Sequence, residues 1–143
     1  MTTANKTHLG SVHRNQPEQY EAVATGALDV GMLAVASGGG LAPHATDGGG
    51  GFVYVAKERT AIGNVDESYA VGDWAQSYIP ESGEMYRMLV ADSQAIAYDT
   101  PLTSNGAGLL RVGVPGTDTI VCYADESDIG TTSGITPVRV KFK

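Results

Sequence analysis

The chain closes on Val138-Arg139-Val140-Lys141-Phe142-Lys143, where apolar and basic residues alternate without a break. Side chains along a β-strand point to opposite faces in turn, so this spacing predicts a strand with one buried and one charged face. Three of the chain's nine basic residues lie here. The preferred reading is that Arg139, Lys141 and Lys143 keep an edge strand from pairing with other chains. A contact with an acidic partner surface is the second.

The same strand-length signature recurs upstream. EQYEAVA (18–24), GMLAVA (31–36), FVYVA (52–56), DWAQSYI (73–79), MYRMLVA (85–91), LLRVGV (109–114) and TIVCYA (119–124) are short β-like runs. Between them stand SGGG, DGGGG, PESGE, SNGAG, VPGTD and TTSG, all turn compositions. Met85, Met88, Leu89 and Ile96 roughly share a helical face, but Asp92-Ser93 interrupts it; strand followed by turn is preferred. The expected fold class is all-β: a small single-domain barrel or sandwich spanning residues 18–143, with at most a turn or two of helix. Residues 1–17 are polar and without periodicity, and read as an extended N-terminal arm.

Composition excludes several functions. At 143 residues the chain suits one domain with a real core. Its formal net charge of −7 argues against nucleic acid or an anionic membrane as partner. No apolar run approaches the roughly 20 residues of a helical membrane span. The first residues show no apolar signal core, so synthesis in a cytoplasm is expected. One cysteine, Cys122, leaves no intramolecular disulfide and no multi-thiolate zinc site. Set in an apolar strand, it reads as an inert small hydrophobe.

Residues 37–51, SGGGLAPHATDGGGG, hold seven glycines around Pro43, His44 and Asp47. A P-loop would need Lys-Ser/Thr after the glycines, and Phe52 stands there instead. A dinucleotide fingerprint would need a following helix, whereas a strand follows. His44 and Asp47 could supply two metal ligands, but nothing near completes a set, and a mobile loop makes a poor cage. The segment is expected to be a long turn. GTTSG (130–134) lacks the spacing of a hydrolase elbow. Asp125, Glu126 and Asp128 read as a solvated turn rather than a calcium loop. Trp74, between Asp73 and Gln76, is the one hint of a sugar platform, and a strand tryptophan is expected in the core.

GNVDESYA (63–70) resembles the substrate-pocket motif of trimeric dUTPases, in which an Asp activates water and a Tyr stacks on deoxyribose. Those positions are Asp66 and Tyr69. The Arg-Ser-Ser type phosphate motif and the late Arg-Gly-Ser/Thr and Gly-Phe-Gly segments are absent. Asp66 and Tyr69 are therefore expected to be a turn followed by a core or rim aromatic.

Taken in order, GMLAVA, PHATDGGG, VAKE (55–58), SYAVGD (68–73), PESGE (80–84), LVADSQAI (89–96), PLTSNGAGLLRV (101–112), ADE (124–126) and VRVKF resemble the small head-decoration (capsid cement) proteins of tailed bacteriophages. The resemblance covers nearly everything beyond the arm. Val30 stands where that pattern has Pro, and Asp99 where it has Gly. The resemblance implies a β-rich homotrimer on the outer capsid surface of the virion. It would bind the major capsid protein and clamp neighbouring capsomers, with no catalytic residue, metal or cofactor. Capsid-contact candidates are Lys6, His8, Leu9, Val12, His13 and Arg14 in the arm, and Arg139 and Lys141 in the last strand. A trimeric dUTPase-like nucleotide hydrolase and a glycan-binding tail or fibre module are the alternatives.

Overall fold

The computed structural model describes residues 7–10, 18–58 and 68–143, with backbone alone for 8–10. The strands are β1 (His8–Gly10), β2 (Gln19–Val23), β3 (Leu33–Ser37), β4 (Gly40–Pro43), β5 (Tyr54–Ala56), β6 (Trp74–Tyr78), β7 (Met85–Val90), β8 (Ala95–Ile96), β9 (Pro101–Ser104), β10 (Leu110–Val112), β11 (Cys122–Ala124), β12 (Gly130–Thr131) and β13 (Thr136–Lys141). No helix occurs among the described residues, and the domain is small and all-β, as the turn-punctuated runs predict. Within 85–96 the chain forms β7, a turn with Ser93 at φ 61°, and then β8.

Five strands close into a barrel in the cyclic order β7-β10-β9-β11-β13. β13 pairs antiparallel with β7 from Thr136↔Val90 to Lys141↔Met85, and with β11 through Tyr123↔Lys141 and Ala124↔Val140. The other edge of β7 is shared: β1 lies at its start, opposite Met85 and Tyr86, and β10 meets Val90 in parallel. The last strand is thus paired on both sides, which corrects the expectation of an edge strand. Its alternation serves closure instead. Val138, Val140 and Phe142 turn inward, while Arg139 remains outside.

The barrel interior is filled by Tyr86, Met88, Val90, Leu102, Leu110, Cys122, Val138 and Val140. Tyr86 meets Phe142 edge-on with ring centroids 5.6 Å apart. Leu33, Val55 and Tyr78 from the second sheet join the same cluster. That second sheet runs β2-β6-β5-β3-β4. It curls until Ala24 bridges Leu41 and the Thr25 N–H donates to the Leu41 carbonyl at 2.8 Å. Its concave face is lined by Ala22, Ala24, Ala34 and Ala75, with Leu28, Leu41, Tyr54 and Tyr69 among them. Alanines let the strands bend tightly. Gly40 goes further, because a Cβ there would lie 2.0 Å from the Val23 carbonyl oxygen.

Residues 37–51 are therefore not one long turn. Gly38 and Gly39, at φ 59° and 80°, make a two-residue hairpin turn between β3 and β4, closing on the Ser37↔Gly40 pair. Asp99 has φ 67°, in the left-handed region that favours glycine, at the position where the resembling pattern has one.

Candidate functional site

The remainder of the glycine segment is tied down from three directions. His44 is buried, its Nδ1 2.8 Å from the Ser104 hydroxyl and its Nε2 2.9 Å from the Gly50 carbonyl. A carbonyl only accepts, so Nε2 carries a proton, and neither ring nitrogen is offered to a metal. Arg111, on β10, reaches back with Nε to Asp47 at 2.7 Å. It also grips Asp118 through two parallel bonds, at 3.0 and 3.1 Å. The bidentate contact, with the Val114 N–H, holds the Asp118 carboxyl below the usual carboxylate range. His44 and Asp47, weighed above as ligands and set aside, thus both have partners within the fold. Among the described residues no three His, Cys, Asp or Glu side chains converge as a metal would require.

Past Gly50 the segment borders a cleft of about 270 Å³. Gly50–Val53, Ile79–Pro80, residues 119–121 and Phe142 line it. None of these is an acid, a base or a thiol, and Phe52 is 67% exposed at the rim. Apolar side chains dominate the lining, with the Thr119 side chain and backbone groups of the glycines as its polar part.

The charged face of β13 is matched by acids of the same chain. Arg139 donates to the Asp125 backbone carbonyl at 2.7 Å and to its carboxylate at 3.1 Å. Lys141 Nζ lies 2.9 Å from the Tyr98 hydroxyl and 3.3 Å from Asp99. Lys143 reaches Asp99 at 2.9 Å and sits 4.1 Å from the Tyr123 ring centroid. The acidic turn foreseen around Asp125 is thus one of the partners that this face needs. Of the arm candidates, Lys6, Val12, His13 and Arg14 lie outside the described residues, and His8 and Leu9 belong to β1. Thr7 just before them is buried, and both its N–H and its hydroxyl donate to Glu58 Oε2, at 3.3 and 3.2 Å. The described part of the arm packs with the body.

Asp66 lies outside the described residues. Tyr69 is 1% exposed and its hydroxyl donates to the Lys57 carbonyl at 2.7 Å, so its ring is no platform for a sugar. Cys122 is fully buried in the barrel, and burial pushes its thiol well above the ordinary range.

Three features escaped the sequence reading. Glu58 and Glu84 are buried carboxylates, accepting from the hydroxyls of Tyr78 at 3.1 Å and Tyr86 at 2.9 Å. Burial first, then these carboxylates, push both phenols up. Only the presence of Tyr and Glu hinted at such pairs. The third is Trp74, which is 59% exposed rather than in the core. Its indole N–H donates to Glu21 Oε2 at 3.1 Å, and Gln76 Nε2 donates to Glu21 Oε1 at 2.9 Å. The period-2 pattern places Trp74, Gln76 and Tyr78 on one face. That face is covered by the barrel at Tyr78 and open at Trp74.

No family model matches the chain, and no curated protein matches it. Among solved structures, it is similar to the N base of head fiber gp8.5 of bacteriophage phi29. The likeness has a TM-score of 0.56 at 17% identity, and covers 90% of this chain and 95% of that one. At that identity the likeness is one of fold.

Proposed function

We propose that this chain is a structural protein of a bacteriophage head, a decoration or cement protein that sits on the outer capsid surface. It binds the major capsid protein and strengthens contacts between capsomers. The observation that carries the reading is the likeness over nearly the whole length of both chains to the N base of a phage head fiber. The order of turn motifs down the sequence, similar to that of head-decoration proteins, supports it independently. In this reading the chain performs no catalysis, uses no metal or cofactor, and acts as a homotrimer. A cyclic trimer covers open strand edges and exposed apolar side chains such as Phe52, Val114 and Val71.

The arm is the first capsid contact. Residues 1–17 carry Lys6 and Arg14 but no Asp or Glu, against an acidic whole. His8, Leu9, Val12 and His13 are the other contact candidates of the arm. Arg139 and Lys141 are second in rank, because Asp125 and Asp99 already neutralise them. Deleting the arm outright would also remove Thr7 from Glu58, so charge reversal is the cleaner test. Lys6→Glu with Arg14→Glu should leave the circular dichroism spectrum unchanged. Co-sedimentation with expanded heads should weaken by about tenfold or more, and added salt should weaken wild-type attachment in the same direction. Undiminished co-sedimentation of the double variant would reject the arm as the clamp. Failure of the wild-type protein to bind heads at all would reject the reading.

A further inference from the structure

We infer that the open end of the second sheet, around Trp74, is a binding platform for a neutral saccharide. The placement follows from strand register. Across β2 and β6, Val23 lies opposite Trp74 and Glu21 opposite Gln76. These four side chains form two adjacent cross-strand pairs on one face. Val23 and Trp74 are both exposed, at 41% and 59%. Diagonal neighbours in a sheet lie within reach of aromatic side chains, and here the diagonal is used: the indole N–H is bonded to Glu21.

That bond has two consequences. It satisfies the one polar atom of the indole and ties the ring to β2, so the part of the ring that remains exposed is apolar. The C–H groups on one side of a pyranose carry slight positive charge and stack on the negative face of an aromatic ring. The bond also keeps Glu21 ionised, since the indole N–H and then the Gln76 amide hold its carboxyl below the usual carboxylate range. A carboxylate offers about four lone-pair positions, and two are used here. The remaining two accept sugar hydroxyls in charge-assisted bonds beside the stacking ring. Further along the strands, Gln19 and Lys57 continue the polar row, with Lys57 Nζ donating to Gln19 Oε1 at 3.2 Å. The open stretch ends where Tyr78 turns into the barrel core, so it runs from Trp74 to Gln76, about 7 Å at strand rise, room for about one sugar ring.

The charge of the surface selects the ligand. At the ring itself the nearest charge is the ionised Glu21, on a chain of net charge −7, which disfavours sialylated and phosphorylated sugars there; Lys57 lies further along the row, bonded to Gln19. Neutral hexose and N-acetylhexosamine units fit. The platform is independent of the head-surface reading, since it requires nothing of the arm or of the capsid.

Trp74 is the chain's single tryptophan, so its emission reports the platform without labelling. Chitotriose and maltotriose, with 3′-sialyllactose as the anionic control, are titrated into the intact protein to about 10 mM, well above the millimolar affinities of single-ring stacking. Saturation-transfer NMR on the sugar is recorded in parallel. A saturable change in emission with one neutral trisaccharide, and none with the anionic one, is expected. Trp74→Ala should abolish saturation transfer, Trp74→Tyr should retain affinity within about threefold, and Glu21→Gln should weaken it about tenfold. Absence of both signals with both neutral sugars would overturn the proposal. So would a concentration-dependent mass, by light scattering, that tracks a sugar-independent blue shift of Trp74; a second copy of the chain would then be the occupant.

Discussion

The barrel and the curled sheet solve the same problem with opposite means. The barrel buries large side chains, Tyr86, Met88, Leu102, Leu110 and the valines of β13, inside a ring of hydrogen-bonded strands. The second sheet sets four alanines among Leu28, Leu41, Tyr54 and Tyr69, and its β2–β4 approach requires a glycine, because a Cβ at position 40 would lie 2.0 Å from the Val23 carbonyl oxygen. A ring of large residues derives its stability from buried area. A sheet that mixes them with small ones depends also on close backbone approach, and leaves its far end, at Val23 and Trp74, open to water. In this molecule, therefore, the barrel is the half that holds the fold and the sheet is the half with a surface to offer.

The largest expected effect comes from emptying the barrel. Leu102 is wholly buried, paired with Val112 of β10 on one side and Cys122 of β11 on the other, so hydrogen-bonded strands flank it on both sides. Leu102→Ala should cost about 3 kcal/mol, read as a lower denaturation midpoint with unchanged slope. The same truncation at Leu41, in the alanine-lined sheet, should cost clearly less, because the β2–β4 approach can close further around it. Equal losses at the two positions would abolish the contrast.

Gly40→Ala comes next and attacks the other half. The added methyl would meet the Val23 carbonyl at 2.0 Å and the Thr25 methyl at 2.8 Å, so β4 must move off β2. About 2 kcal/mol is expected. The chain carries one native probe in each half: Trp74 on the sheet, and Cys122 in the barrel. In the wild type, Leu33, Val55 and Tyr78 tie the sheet into the barrel core, so Trp74 emission and Cys122 reactivity toward a thiol reagent should change together in denaturant. In Gly40→Ala the emission should change first. Coincident transitions in the variant would show that the two halves are one cooperative unit.

How much of this was legible beforehand depends on distance along the chain. The alternation in residues 138–142 correctly assigns Val138, Val140 and Phe142 inward, because period 2 is a local property. That β13 is paired on both sides was not legible, since its partners β7 and β11 are set by register between remote strands. The basic residues then looked like edge protection when they answer Asp125 and Asp99 across the barrel wall. Likewise Gly38-Gly39 is a hairpin turn hidden inside a glycine run, and Gly40–Pro43 has no β-branched residue to mark it as a strand. For the site, DWAQSYI shows that Trp74 shares a face with Tyr78. It cannot show where along that face the barrel stops covering it.

The smallest effect is electrostatic and separates the halves again. Among the described residues, three carboxyls are held below the ordinary range: Asp118 by Arg111 and Asp99 by Lys143 on the barrel, and Glu21 by Trp74 on the sheet. A carboxyl whose pKa is lower folded than unfolded adds stability above its unfolded value, about 4, and loses it as pH falls through the folded value. The melting temperature should therefore stay flat from about pH 8 to pH 5 and decline below about pH 4. Asp99→Asn and Asp118→Asn should each flatten that decline slightly, the exposed Asp99 less, as screened surface pairs do. Glu21 should leave the melting curve nearly untouched and appear elsewhere. As its carboxylate takes a proton, the indole loses its ionic acceptor, so Trp74 emission should titrate on the acid side of the ordinary carboxylate range while the protein is still folded. Glu21→Gln should remove that titration without shifting the acid unfolding midpoint. If the emission followed the unfolding midpoint instead, Trp74 would be reporting the whole fold, and the sheet would lose its claim to an independent surface.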